Sequence, residues 1–117
     1  MTQQTVAPRT VYDLIEQNLG VNVEYRFGDA TDADTADKII ARNDPGRVAL
    51  VVVNLSANIA YIRPIRIATS TASIRLAPSG GSIAMNWRDD LILQALEWHA
   101  IASVDNSSIF VLEAVIR

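Results

Sequence analysis

Arg47-Val48-Ala49-Leu50-Val51-Val52-Val53-Asn54-Leu55 is the stretch on which the fold turns. Its apolar run, Val48 to Val53, is six residues long and β-branched at four of them. β-branched side chains are stiff and suit a pleated surface, and so short a run between turn signals is a strand. Its continuity predicts burial on both faces. Asn43-Asp44-Pro45-Gly46 before it is a strong turn signal, and Asn54 to Asn58 after it carries turn residues.

The same rhythm continues toward the C-terminus. Ala60 to Ile67 reads as a strand in which Pro64 marks an edge, a bulge or a break, because proline has no ladder donor. A loop over Thr69 to Ser73 leads to a short strand, Ile74 to Leu76. Pro78-Ser79-Gly80-Gly81 predicts a tight hairpin turn. Ser82 to Trp87 alternates, with Ile83, Met85 and Trp87 on one side. Leu91 to Leu96 fits a strand or a helical turn. Glu97 to Ser103 is a strand with Trp98, Ala100 and Ala102 on one side, which puts His99 on the outer surface. Ile109 to Ile116 is the last strand.

Toward the N-terminus, Lys38 to Ala41 fits a strand or a helical turn, and residues 28–37 form an acidic loop of small residues. Val21 to Phe27 alternates as a half-buried strand. Thr10 to Gly20 carries a short helix signal, with Val11, Leu14, Ile15 and Leu19 near one face. Short strands at about ten-residue spacing predict an all-β domain, an antiparallel sandwich or barrel of jelly-roll type, over residues 21–117. Residues 1–20 are expected to be an arm and short helix.

Composition narrows the function. The 117 residues are 50% hydrophobic, enough for one core. No cysteine is present, so disulfides, thiolate metal sites and cysteine nucleophiles are excluded. Residues 1–46 carry four basic and eight acidic groups, and residues 47–117 six and five, which together make the net charge of −3. Without a basic run, nucleic acid is not an expected partner. Six apolar residues in a row fall far short of the ~20 of a membrane-spanning helix, and no membrane association is expected.

The residue types that carry chemistry are sparse. His99 is the sole histidine, which rules out a multi-histidine metal site and leaves it without a spaced nucleophile. Asp29, Asp32, Asp34 and Asp37 suggest a cation loop, but the spacing is not that of an EF-hand. No catalytic, cofactor-binding or metal residue is assigned, and no cofactor is expected. Tyr12, Tyr25, Tyr61, Trp87 and Trp98 would serve a sugar platform only if they clustered; they serve a core or a subunit interface equally well. The candidate interface comprises Val6, Val11, Leu14 and Ile15 in the arm and helix, with Arg63, Arg66, Arg75 and Arg88 in the β region. Pairing of these arginines with the acidic segment 29–44 of a neighbouring copy is expected.

From Lys38 to Glu113 the chain resembles a recurring small β-domain of tailed-bacteriophage virion proteins. The resemblance runs through Ile39-Ile40-Ala41-Arg42-Asn43-Asp44-Pro45-Gly46-Arg47, the buried strand ending at Asn54, and Ile59-Ala60-Tyr61-Ile62. It continues through Ile74-Arg75-Leu76-Ala77-Pro78-Ser79-Gly80-Gly81-Ser82-Ile83, His99 to Ser103, and Ile109 to Glu113. Arg63-Pro64-Ile65-Arg66 departs from the glycine-rich turn usual in such domains. The resemblance implies a structural, non-enzymatic protein of a virion assembled in the host cytoplasm. The first expectation is a capsid decoration or cement subunit that binds the major capsid protein or other virion proteins across capsomer joints, as a homo-oligomer with a trimer favoured. The alternative is a receptor- or glycan-binding module of a fibre or spike, or a head–tail or tail component.

Overall fold

The computed structural model describes residues 23–27 and 31–116. The expected arm and helix, with Val6, Val11, Leu14 and Ile15, lie outside the described residues. Nine strands follow in order: β1 (Val23–Phe27), β2 (Thr31–Ala33), β3 (Lys38–Ala41), β4 (Arg47–Asn54), β5 (Ala60–Pro64), β6 (Ile74–Leu76), β7 (Ser82–Asn86), β8 (Trp98–Ala102) and β9 (Ser107–Ile116). A one-turn helix, α1 (Trp87–Asp90), and a 3-10 turn at Leu93–Ala95 lie between β7 and β8.

The strands form two antiparallel sheets. In the first the order is β1-β9-β4-β7, with β2 continuing along β9 on the flank that β1 occupies. In the second it is β3-β8-β5-β6. From β2 onward each connection except β5 to β6 passes from one sheet to the other. The molecule is therefore the expected all-β sandwich, with the connectivity of a jelly-roll.

β4 runs the length of the first sheet and pairs with β9 from Arg47 to Asn54 on one side and with β7 on the other. Leu50 and Val52 point inward and meet Met85, Ile109 and Val111. Ile62, Leu76, Trp98 and a set of alanines, among them Ala60, Ala100 and Ala102, close the core from the second sheet. Small residues there let the bulky Trp98 fit between the layers, and its indole Nε1–H donates to the Leu93 carbonyl at 2.9 Å.

Several local readings change. β4 is fully buried on the core face only; Val51 and Val53 are half-buried on the outer face. There they register with Leu112 and Phe110 of β9, and this apolar row made the stretch look buried on both sides. Part of the expected acidic loop is strand β2. Lys38–Ala41 is a strand, and Leu91 to Leu96 is a turn ending in the 3-10 segment. Pro64 closes β5 beyond Ile74, where β6 begins, so only β8 flanks it there.

Pro78-Ser79-Gly80-Gly81 is not a hairpin within one sheet: it carries the chain from β6 in the second sheet to β7 in the first. Buried Asn54 organises this corner. Its Nδ2 donates to the carbonyls of Asn58, Leu76 and Ala77 at 2.7, 3.2 and 3.2 Å, and its Oδ1 accepts from the Ser56 N–H and hydroxyl. Backbone bonds from Asn54 N to Gly81 O and from Gly80 N to Asn54 O, both 2.8 Å, complete the joint. A Cβ on Gly81 would lie 2.3 Å from the Ala77 nitrogen and 2.4 Å from its carbonyl oxygen. Gly81→Ala is expected to destabilise the domain by about 3 kcal/mol, read as a lower denaturant midpoint, because both clashing atoms are backbone.

Candidate functional site

Two buried polar clusters and two contrasting ends are the features that could carry function. The first cluster is Arg47 at the start of β4, which is 2% exposed. Its Nε donates to Glu113 Oε1 at 2.6 Å and Nη2 reaches the same oxygen. Nη1 donates to the carbonyls of Gln94 and Leu96, and Nη2 to that of Arg42 at 2.7 Å. All three guanidinium nitrogens are thus engaged by protein acceptors. A shallow polar cleft of about 320 Å³ opens between residues 40–44 and the Arg47–Glu113 pair. Its most polar wall has no unengaged guanidinium nitrogen to offer an anion, so Arg47 works as a structural tie between β4, β9 and the two loops.

The second cluster corrects the expectation for His99. It sits on the outward side of β8, yet it is only 8% exposed; the segment after β5 is hydrogen-bonded to the residues that flank it, Ile65 N–H to the Glu97 carbonyl and Ala68 N–H to Asp37. Its Nδ1 lies 2.6 Å from Asp37 Oδ2 and its Nε2 2.9 Å from Glu97 Oε1. Burial pulls the imidazole pKa down, but hydrogen bonds to Asp37 and then Glu97, with their negative charge, outweigh it and raise the pKa above its ordinary value. With both nitrogens facing carboxylates, neither is presented to a substrate.

The acidic residues diverge. Asp37 belongs to the His99 cluster, Asp34 Oδ1 accepts from the Asn106 N–H, and Asp32 is exposed on β2. No group of three or more metal-ligating side chains occurs among the described residues. Asp29 lies outside them. Asn86 caps α1, its Oδ1 accepting from the Asp89 N–H, and the helix answers: Asp90 Oδ2 accepts from the Asn86 N–H and Asp89 Oδ2 from the Asn86 amide. Among the described side chains the aromatics do not cluster either, and Tyr12 lies outside the described residues. Trp98 is core, Trp87 is exposed at the start of α1, and Tyr61 is half-buried on the outer face of β5.

The four expected interface arginines fall into two groups. Arg63 and Arg75 lie on the outer face of the second sheet, where Arg75 is in register with Tyr61 and Arg63 with His99. Arg66 and Arg88 lie at the end of the sandwich where β4 begins. Trp87, Leu91, Ile92 and Leu93 also project at that end, 41%, 76%, 68% and 41% exposed. Leu91 adopts φ 57°, ψ −109°, a backbone that costs a side-chain-bearing residue about 1–3 kcal/mol and that the α1 corner sustains. Arg88 lies over the Trp87 ring at 5.5 Å. This apolar end escaped sequence reading because Leu91 to Leu96 fitted a strand as well as a turn.

The opposite end, where β4 finishes, has a different chemistry. Leu55 and Val104 are about half exposed there, at 53% and 51%. Asp32, Asp34 and Asp105 surround them through the β2–β3 and β8–β9 connections. The Thr35 N–H, then its hydroxyl, donate to Asp105 and hold its carboxyl below the ordinary value, so it is anionic at neutral pH.

No family model and no curated protein matches the chain. Among solved structures, a chain of the Bacillus endospore appendages, described as a novel family of disulfide-linked pili, is similar in fold, with a TM-score of 0.51. Identity is 10%, over 97% of this chain and 96% of that one, so the likeness shows the fold alone. Among the described residues no helix is long and apolar enough to cross a membrane.

Arg47→Met is expected to cost about 3–5 kcal/mol, since it removes the buried cation paired with Glu113 and takes the donor from three carbonyls. Arg47→Lys should recover little, because an ammonium cannot span the same set of acceptors. Urea unfolding of both variants checks this; a lysine variant as stable as the parent would show that charge alone suffices.

Proposed function

We propose that this chain is a structural subunit that assembles head to tail into a linear array of fibre or tail type. The observation that carries the reading is the contrast between its ends. One end presents Trp87, Leu91, Ile92 and Leu93, with Arg42, Arg66 and Arg88 around them. The other presents Leu55 and Val104, with Asp32, Asp34 and Asp105 around them. An apolar centre with a charged rim is how stable protein contacts are built; the first rim sets three arginines beside Asp44, Asp89 and Asp90, and the second sets three aspartates beside Lys38, so the two ends differ in composition and can pair with one another. Asp89 and Asp90, at the first end, accept hydrogen bonds from Asn86, as Asp34 and Asp105 at the second end accept them from Asn106 and Thr35. A contact between unlike surfaces is heterologous and propagates into a filament unless its rotation closes.

The buried polar groups support assembly over catalysis, since His99 and Arg47 both spend their donors inside the fold. The Bacillus chain of similar fold belongs to an assembly described as disulfide-linked pili. With no cysteine, this chain would have to hold such an array together without disulfides. Among the virion roles that the resemblance implies, two complementary ends suit a fibre or tail component better than a cement subunit seated across capsomer joints.

Blocked ends test this directly. Leu91→Asp with Ile92→Asp should disable the first end, and Leu55→Asp with Val104→Asp the second. Each double variant alone is expected to remain monomeric in sedimentation. Mixed in equal amounts they are expected to pair through their intact ends and stop at a dimer. A blocked variant that still grows, or a mixture that stays monomeric, contradicts head-to-tail assembly.

A further inference from the structure

The His99 cluster holds more than β8. Asp37, whose Oδ2 faces His99, uses its Oδ1 to accept the Ala68 N–H at 2.9 Å. Glu97, whose carboxylate faces the other ring nitrogen, uses its backbone carbonyl to accept the Ile65 N–H at 2.7 Å. Both anchors of segment 65–68 on the second sheet therefore run through residues bound to one imidazole. The segment carries its own strain. Ile65 is β-branched and 62% exposed, yet it sits at φ 70°, a conformation such residues rarely adopt and one that persists only when the surroundings enforce it.

We propose that Asp37, His99 and Glu97 form a proton-operated clasp that holds the β5–β6 segment over the second sheet and releases it when the imidazole loses one proton. A neutral imidazole has one N–H and one lone pair. Both ring nitrogens face carboxylate oxygens, so only the imidazolium satisfies both; in either neutral tautomer one carboxylate faces a lone pair. Loss of the proton therefore repels Asp37 or Glu97 and loosens the anchor attached to it.

The other groups around the ring are few. Ile39 opposes His99 from β3 and is apolar. Arg63 opposes it from β5. Lys38 directs its Nζ to the Asp32 carbonyl at 3.1 Å, away from the ring, and Arg66 on the covering segment is exposed. Among the described groups, the two carboxylates in direct contact are what favour the imidazolium.

The sign follows from the raised pKa. The clasp contributes its full stability below the ordinary imidazole value of about 6.5, and loses it as pH rises through the higher folded value. Each unit of pKa difference between closed and open forms corresponds to about a tenfold change in the opening equilibrium.

His99 is the only histidine, so its ring gives one set of NMR signals to titrate. The expected result is a ring that keeps both protons past pH 6.5. Hydrogen exchange at the Ala68 amide, corrected for its intrinsic pH dependence, should accelerate with the same midpoint. Glu97→Gln, at a partly exposed position that tolerates change, should lower both midpoints together. His99→Gln should leave Ala68 in fast exchange at all pH values. A ring titrating at or below 6.5, or Ala68 protection that stays flat while the ring titrates in the parent and in Glu97→Gln, overturns the clasp.

Discussion

Pairing of β4 with β9, pinned by a buried polar side chain at each end of β4, is the constraint from which the rest of the molecule follows. Between the ends, Leu50 and Val52 supply the inward row that the second sheet must cover. At the ends the chain has to leave one sheet and enter the other, and backbone groups freed from the ladder need partners there. Arg47 supplies them at one end, through the carbonyls of Arg42, Gln94 and Leu96, and Asn54 at the other, through those of Asn58, Leu76 and Ala77. A jelly-roll has most of its crossings at these two ends, so two side chains fix most of its corners.

The same arrangement shapes the surfaces that would meet other molecules. Arg47 holds the 3-10 turn that follows Leu91 and Ile92, so a buried hydrogen-bond set keeps exposed apolar residues in a defined position. Asn54 and its neighbours do likewise for the loop that begins at Leu55. Preformed ends lose less conformational entropy on association than loops that must order first. The strained Leu91 backbone fits this picture, because the fold spends stability to hold a leucine where it gains nothing within the monomer.

Much of the fold was legible in the sequence because its strands are short, β-branched or alternating, and separated by glycine, proline and asparagine. Trp98, Ala100 and Ala102 faced the core as their spacing indicated. Alternation put His99 on the correct side of β8 but not its burial, because it reports which side of a sheet a residue occupies, not whether another segment of the chain covers that side. The turn at Pro78–Gly81 looked like a hairpin because local sequence sets the tightness of a turn, whereas the partners of the flanking strands decide whether it joins one sheet or two. Of the four arginines, the sequence marked the residue type but not that Arg66 and Arg88 share an end while Arg63 and Arg75 share a face. Only the strand register separates them.

The most direct measurement of head-to-tail assembly is the mass of the intact chain by sedimentation across a wide concentration range, at low and at raised salt. Unlike ends predict an average mass that climbs without a plateau as concentration rises, and a weaker climb in salt as the arginine and aspartate rims are screened. A closed oligomer of fixed mass, or a monomer at every concentration, would contradict it.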